Sequence, residues 1–253
     1  MSSLYHYTSL NSLKLILKHK TIRFSSLSFV NDRYEGETQD IGNLGQYIFV
    51  SCWTYNESEN LRLWEMYGNQ FHGVRIALEY PIFKLFYDED NSPSLVPHKP
   101  SEANDYALMP TEINKLVTRV QYTNKTTDIK PKTLYELWNQ GIFDFGKVGK
   151  WKSKSWFKEE ECRFIIYSLP IKWNNDPEIN GRLLIGSAIQ LMKRNKEIPI
   201  KFVDIDIQGD IFKDMQIIKG PKMNAKDQKT LHDIVNQYNP SANIKESSLK
   251  ISF

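Results

Sequence analysis

Three consecutive carboxylates, Glu159, Glu160 and Glu161, run directly into Cys162-Arg163-Phe164-Ile165-Ile166-Tyr167, a stretch with the composition of a strand. Acidic groups ordinarily sit on loops, so their attachment to an apolar segment restricts what this region can become. If the run from Glu159 onward is extended, alternation puts Glu159, Glu161 and Arg163 on one face and Cys162, Phe164 and Ile166 on the other. One face is then core, and the other is a pair of carboxylates beside a guanidinium. Such a pair at a strand end, flanked by Trp156, suits acid/base or cation-stabilising chemistry. A solvated acidic strand edge with a weak surface ion pair fits the same residues.

The 253 residues carry 33 basic and 30 acidic side chains, a net charge of +3, which is too mild to demand a nucleic-acid partner. Two cysteines far apart, Cys52 and Cys162, write neither a disulfide framework nor a zinc ribbon, so a reducing compartment is expected. His19, His72, His98 and His232 show no metal-ligand spacing, and no metal is expected. The N-terminus lacks an apolar signal region and no run approaches bilayer-spanning length. The expectation is a soluble, cytoplasmic protein with no membrane partner.

Along the chain, a short strand at Tyr5 to Ser9 enters a helix with Leu10, Leu13, Ile16 and Leu17 on one stripe, capped by Ser9. Thr21 to Phe24 is expected as a brief strand, Phe29 to Gly36 as a polar turn, Gln46 to Trp53 as a buried strand, and Leu61 to Tyr67 as a short helix before an alternating strand at Gly73 to Tyr80. Asp88 to Pro110, with four prolines, suggests a loop insertion. Helices are expected at Thr111 to Val120 and Leu134 to Phe145, with a strand at Val120 to Tyr122. Strands at Ile200 to Ile207 and Met215 to Ile218, an amphipathic helix through Leu231, Ile234, Val235 and Tyr238, and a strand at Ile244 to Ile251 complete the chain. With no repeat or firm boundary, residues 1–253 are expected to form one mixed α+β domain with a mostly antiparallel sheet, the insertion at 88–110 included.

His6 and Thr8 share a strand face and could hold a ribose or phosphate; a core histidine satisfied by a backbone carbonyl is the bland alternative. Trp64 and Tyr67 lie three apart on the short helix, which is usual for core but could also present a stacking surface for a flat ring. Lys147, Lys150, Lys152, Lys154 and Lys158 interleave with Trp151, Trp156 and Phe157, a pattern that suits a nucleic-acid backbone and its bases, or a solvated lysine face.

Together these pieces resemble a large bacterial family of domains of unknown function. The resemblance rests on Tyr5 to Tyr7, Asn31-Asp32-Arg33-Tyr34-Glu35, Ser51-Cys52, Trp64 to Tyr67, Gly73-Val74, Lys152 with Trp156, Glu159, Glu161 and Arg163, and Gly220-Pro221. It departs at Arg33, where that family's pattern often has proline. The N-terminal Leu4-Tyr-His6-Tyr-Thr8 with the helix after it also looks like the opening of ADP-ribosyltransferases, notably DNA-targeting toxins and RNA 2'-phosphotransferases. This resemblance implies an ADP-ribosyltransferase-like fold that uses NAD as co-substrate. Glu161 would stabilise an oxocarbenium-like ribose, and Glu159 would orient or deprotonate the acceptor. His6 and Thr8 would anchor the adenosine ribose, Tyr67 or Trp64 would pack on nicotinamide, and Arg163 and Ser51 would join the cofactor contacts.

Lys150, Lys152, Lys154, Trp156 and Lys158 would bind a nucleic-acid acceptor, RNA in preference to single-stranded DNA. Such an enzyme would be a toxin with a neutralising antitoxin, in a toxin-antitoxin or phage-defence setting. The alternatives are the same enzyme acting on protein, or a non-enzymatic nucleic-acid-binding module.

Overall fold

The computed structural model describes residues 3–32, 34–111, 116–137, 140–174 and 182–251. In chain order the first elements are β1 (Ser3–Thr8), α1 (Leu10–His19), β2 (Thr21–Ser26), β3 (Ile48–Thr54), α2 (Leu61–Met66) and β4 (Val74–Glu79). Short strands follow: β5 (Phe86–Tyr87), β6 (Pro93–Ser94), β7 (Ala107–Met109), β8 (Thr118–Arg119) and β9 (Gln121–Thr123), then α3 (Thr126–Ile129), β10 (Leu134–Leu137), β11 (Gln140–Phe143) and β12 (Trp151–Ser153). The long strand β13 (Glu161–Leu169) precedes α4 (Arg182–Lys193), β14 (Phe202–Asp206), α5 (Gly209–Lys213), β15 (Gln216–Lys219), α6 (Ala225–Tyr238) and β16 (Asn243–Lys245).

The architecture is α+β: one large mixed sheet, three small two-stranded pairings and several helices. The large sheet runs β14-β2-β3-β1-β4-β15-β16, with β13 pairing β3 and carrying β7 and β8 beyond it. Most pairings are antiparallel; β15 with β16 and β12 with β9 are parallel. The apolar alternation of β3, β4 and β13 supplies the core, where Phe24, Phe49, Ile76, Phe164 and Ile166 are buried with Leu13 and Leu17 of α1. The Ser9 hydroxyl accepts from Ser12 N at 3.1 Å, and α1 packs on β2 and on α6. Helix α6 opens with a capping box between Asn224 and Asp227 and buries Leu231, Ile234 and Val235.

Several sequence expectations need correction. The helix expected at Leu134 to Phe145 is the hairpin β10–β11, with Leu134 opposite Phe143. Gly141 weakens a helix, and Tyr135, Ile142 and Phe143 favour extended backbone. The helix expected from Thr111 falls partly on 112–115, outside the described residues, and its far end is β8. The segment from Asp88 to Pro110 is not simply a loop, because β7 pairs with β13 and Leu95, Val96 and Ala107 are buried. The last strand is only β16. After it, Ser247 and Ser248 strap onto Glu59, which accepts from Ser247 Oγ at 2.7 Å and Ser248 N at 2.6 Å.

Candidate active site

Strand β3 is paired along one edge by β13, from Glu161 opposite Thr54 to Tyr167 opposite Ile48. Its other edge is shared. Strand β2 takes Phe49 and Val50, β1 meets only Thr54, and the two strands part between them. At this fork the carbonyl of Cys52 accepts from His6 Nδ1 at 2.8 Å, so a side chain replaces the missing strand partner. The ring also lies against Trp53, 5.0 Å between centroids, and burial pushes the imidazole pKa down.

The fork opens into a cleft of about 750 Å³, within the usual size range of a small-molecule site. Tyr5, Tyr7, Phe29, Trp53 and Tyr67 give it aromatic walls, and Lys152, Glu159, Glu161 and Arg163 form its charged side. These charges belong to one buried cluster that also contains Glu35. Lys152 Nζ lies 2.7 Å from Glu159 Oε2, 2.9 Å from Glu161 Oε2 and 3.2 Å from Glu35 Oε1. Arg163 grips Glu161 in a bidentate pair, with Nη2 3.0 Å from Oε2, and its Nη1 bonds Glu35 Oε2 and, at 3.0 Å, the Gly149 carbonyl. Three carboxylates thus face two cations, and all five side chains are nearly inaccessible to solvent.

Burial pushes the Glu161 carboxyl up, and the Arg163 guanidinium and the Lys152 ammonium more than reverse it, bringing the pKa down to about 2. For Lys152 burial acts against the charge, but the carboxylates, Glu161 foremost, hold its pKa above the ordinary lysine value. Burial and then Glu161 push the Cys52 thiol well up, so Cys52 is a neutral floor residue rather than a nucleophile at neutral pH.

Local backbone explains how the carboxylates converge. Strand β13 begins at Glu161, so Glu159 is not on it and the shared-face expectation is corrected. Residues 154–159 form a 3-10 helix, and Glu160 takes a left-handed conformation (φ 47) that ends it. The turn sends the Glu160 side chain to Asn56 and leaves Glu159 and Glu161 both against Lys152. Strand β12 delivers Lys152, and its partner β9 delivers Tyr122, whose hydroxyl accepts from Glu161 N at 2.9 Å. Asn60 caps α2, with its Oδ1 accepting from Arg62 N, and donates to the Lys158 carbonyl at 2.6 Å. That tie sets Tyr67, just past α2, so that its hydroxyl donates to Glu159 Oε1 at 2.9 Å.

The expected residues therefore separate. Glu159, Glu161, Arg163, His6 and Tyr67 meet in one cleft. Trp64 does not line it: the ring is buried, edge-on to Tyr7, and Nε1 donates to Glu59 at 2.9 Å. Thr8 lines a neighbouring groove along α1 and β2, which His6 also borders, and Ser51 is buried with its hydroxyl accepting from Trp53 Nε1 at 2.9 Å. Within the lysine run, Lys154 and Lys158 are exposed, Lys150 borders a second cavity with Phe143, Phe145 and Tyr167, and Lys152 belongs to the ion cluster instead of a polymer-facing surface. Trp156 is half-buried, within cation–π distance of Lys152 and Arg62.

Sequence reasoning missed Glu35, which was assigned to a polar turn, and missed Lys152 as a cluster member. Glu35 pairs across 128 positions with Arg163, and no local pattern announces such a partner. Among the described residues no group of three or more His, Cys, Asp or Glu is placed to hold a metal ion, and no helix is long and apolar enough to cross a membrane. Comparison with known protein families, with curated proteins and with solved structures finds no match.

Proposed function

We propose that this chain is an NAD-dependent ADP-ribosyltransferase. One observation carries the reading: an aromatic-walled cleft of ligand size sits over a buried cluster in which carboxylates outnumber cations three to two. A net negative charge held out of water favours a cation, and most strongly a cation that develops during reaction. Cleavage of the nicotinamide–ribose bond sends its electron pair to the pyridinium nitrogen and leaves positive charge on the ribose, as in glycoside hydrolysis.

Glu161 is the carboxylate that meets this charge, kept ionised by Arg163 and Lys152. Tyr67 and the aromatic walls pack on the flat ring. Glu159 takes the proton that the acceptor loses as it bonds to the ribose carbon. His6 accepts from a sugar hydroxyl.

The acceptor proposed is single-stranded nucleic acid, RNA ahead of DNA. Its support is the exposed Lys154, Lys158 and Phe157 beside Trp156 at the cleft's acidic end. An activity of this kind would be toxic in a cell, so a neutralising partner and a toxin-antitoxin or phage-defence setting belong to the same proposal.

The test is incubation of purified protein with labelled NAD and, separately, RNA, single-stranded DNA and cell protein, with nicotinamide release measured alongside. Glu161→Gln is expected to lose about 10² to 10³ in rate, the usual cost of a group acting mainly in the transition state. Label on protein alone would replace the acceptor. No transfer and no nicotinamide release would favour a binding module.

A further inference from the structure

The polar turn after β2 holds a residue that none of the chemistry above has used. Glu35 is 1% exposed, and its carboxylate touches both cations that flank Glu161. Oε2 accepts from Arg163 Nη1, and Oε1 lies 3.2 Å from Lys152 Nζ without forming a hydrogen bond. A buried carboxylate oxygen lacking a hydrogen-bond donor costs stability, so packing alone is a poor reason for this side chain.

Its removal would also change the local charge. With Glu35 ionised the cluster carries three negative and two positive groups; with a neutral side chain there the charges balance, and Glu161 faces two cations with only Glu159 to share them. The same turn supplies a wall of the cleft, since Phe29, Val30 and Asn31 line it a few residues before Glu35 enters the cluster.

We propose that Glu35 is a positioning residue: it divides the attention of Arg163 and Lys152, leaving the Glu161 carboxylate under-neutralised and aimed into the cleft, and it pins the Phe29–Asn31 wall to that floor. Glu35 touches no reacting atom, and its effect passes through the two cations. The inference rests on the proposed function for its kinetic arm but not for its second arm. That arm uses Cys52, half-buried in the cleft and in contact with Glu161. Its thiol feels Glu161 as a charge that resists ionisation and Arg163 and Lys152 as charges that favour it.

The experiment compares wild type, Glu35→Gln and Glu35→Asp for NAD glycohydrolysis, and for Cys52 alkylation by iodoacetamide followed by peptide mass spectrometry. Folding is checked by thermal unfolding. Glu35→Gln is expected to lower kcat about 10- to 100-fold with KM nearly unchanged, the range seen when an outer partner of a working group is removed. It should also raise Cys52 alkylation at pH 8 about three- to tenfold, as a fall of about half to one unit in thiol pKa would. Glu35→Asp retains the charge, so it should recover most of the alkylation resistance and part of kcat.

If Glu35→Gln does not fold, Glu35→Asp decides the matter: a kcat loss at constant KM supports the inference, and wild-type kcat overturns it. If wild type releases no nicotinamide, the function proposed above fails, and alkylation alone judges Glu35. A folded Glu35→Gln protein with wild-type kcat, or with wild-type alkylation where no activity exists, overturns the role.

Discussion

Two ion-paired places in this molecule use the same chemistry in opposite surroundings. On the outer strands, Arg23 of β2 holds Asp204 of β14 through Nε and Nη2, both 2.9 Å, with the side chains 48% and 35% exposed and the guanidinium 3.5 Å from the Phe202 ring. In the cleft, Arg163 holds Glu161 through the same two-pronged geometry but out of water, with Glu35 and Lys152 attached. Geometry does not separate the two pairs; desolvation does. The outer pair gives up little hydration and gains little, whereas the inner one must be fully assembled or it becomes a liability. A cluster that an apolar core could replace without loss of stability is better understood through what it does to the cleft.

The comparison breaks most visibly at its arginines. Arg163→Met strands Glu35 and Glu161 without a guanidinium, and the expected loss is about 3–5 kcal/mol, or failure to fold. Urea unfolding measures it, and a loss below about 1 kcal/mol would erase the distinction between the two sites.

A smaller effect is expected from acid. The folded Glu161 pKa is about 2 against an ordinary 4.5, so its contribution to stability is complete above pH 4.5 and drains away as pH falls toward 2. The urea midpoint of wild type should therefore drop across that window, and Glu161→Gln should show a shallower slope there. Equal slopes would mean that Glu161 is not held ionised by its neighbours.

The smallest change belongs to Arg23→Gln, about 0.2–1 kcal/mol, largely absent in roughly 1 M salt. A salt-resistant cost would show that Phe202 packing, not charge, holds the outer pair.

Much of this was legible from the chain because period-two and helical patterns survive folding. The alternation after Glu161 gave β13 its two faces, and Ser9 with the Leu10–Leu17 stripe gave α1. The legibility ended where a single residue changed the rule. Left-handed Glu160 ends a 3-10 helix, so Glu159 reaches Lys152 from outside the strand. Trp64 and Tyr67 share a spacing, but α2 is only six residues long and Tyr67 lies just beyond it, so one ring enters the core and the other the cleft. Lys152 looked like its neighbours in a lysine run; only the pairing of β12 with β9 turns it inward. Glu35 lies 128 positions from Arg163, and separation of that kind leaves no trace in spacing.

The hydrogen bond that closes the fork in the sheet has a chemical corollary for recognition. Because the Cys52 carbonyl can only accept, the proton of the His6 ring is committed to Nδ1, and burial keeps the ring from taking a second one. The remaining nitrogen offers a lone pair and no proton. It can welcome a hydroxyl and repels an ionised oxygen, so the strand fork discriminates between a sugar edge and a phosphate before any other residue has been consulted.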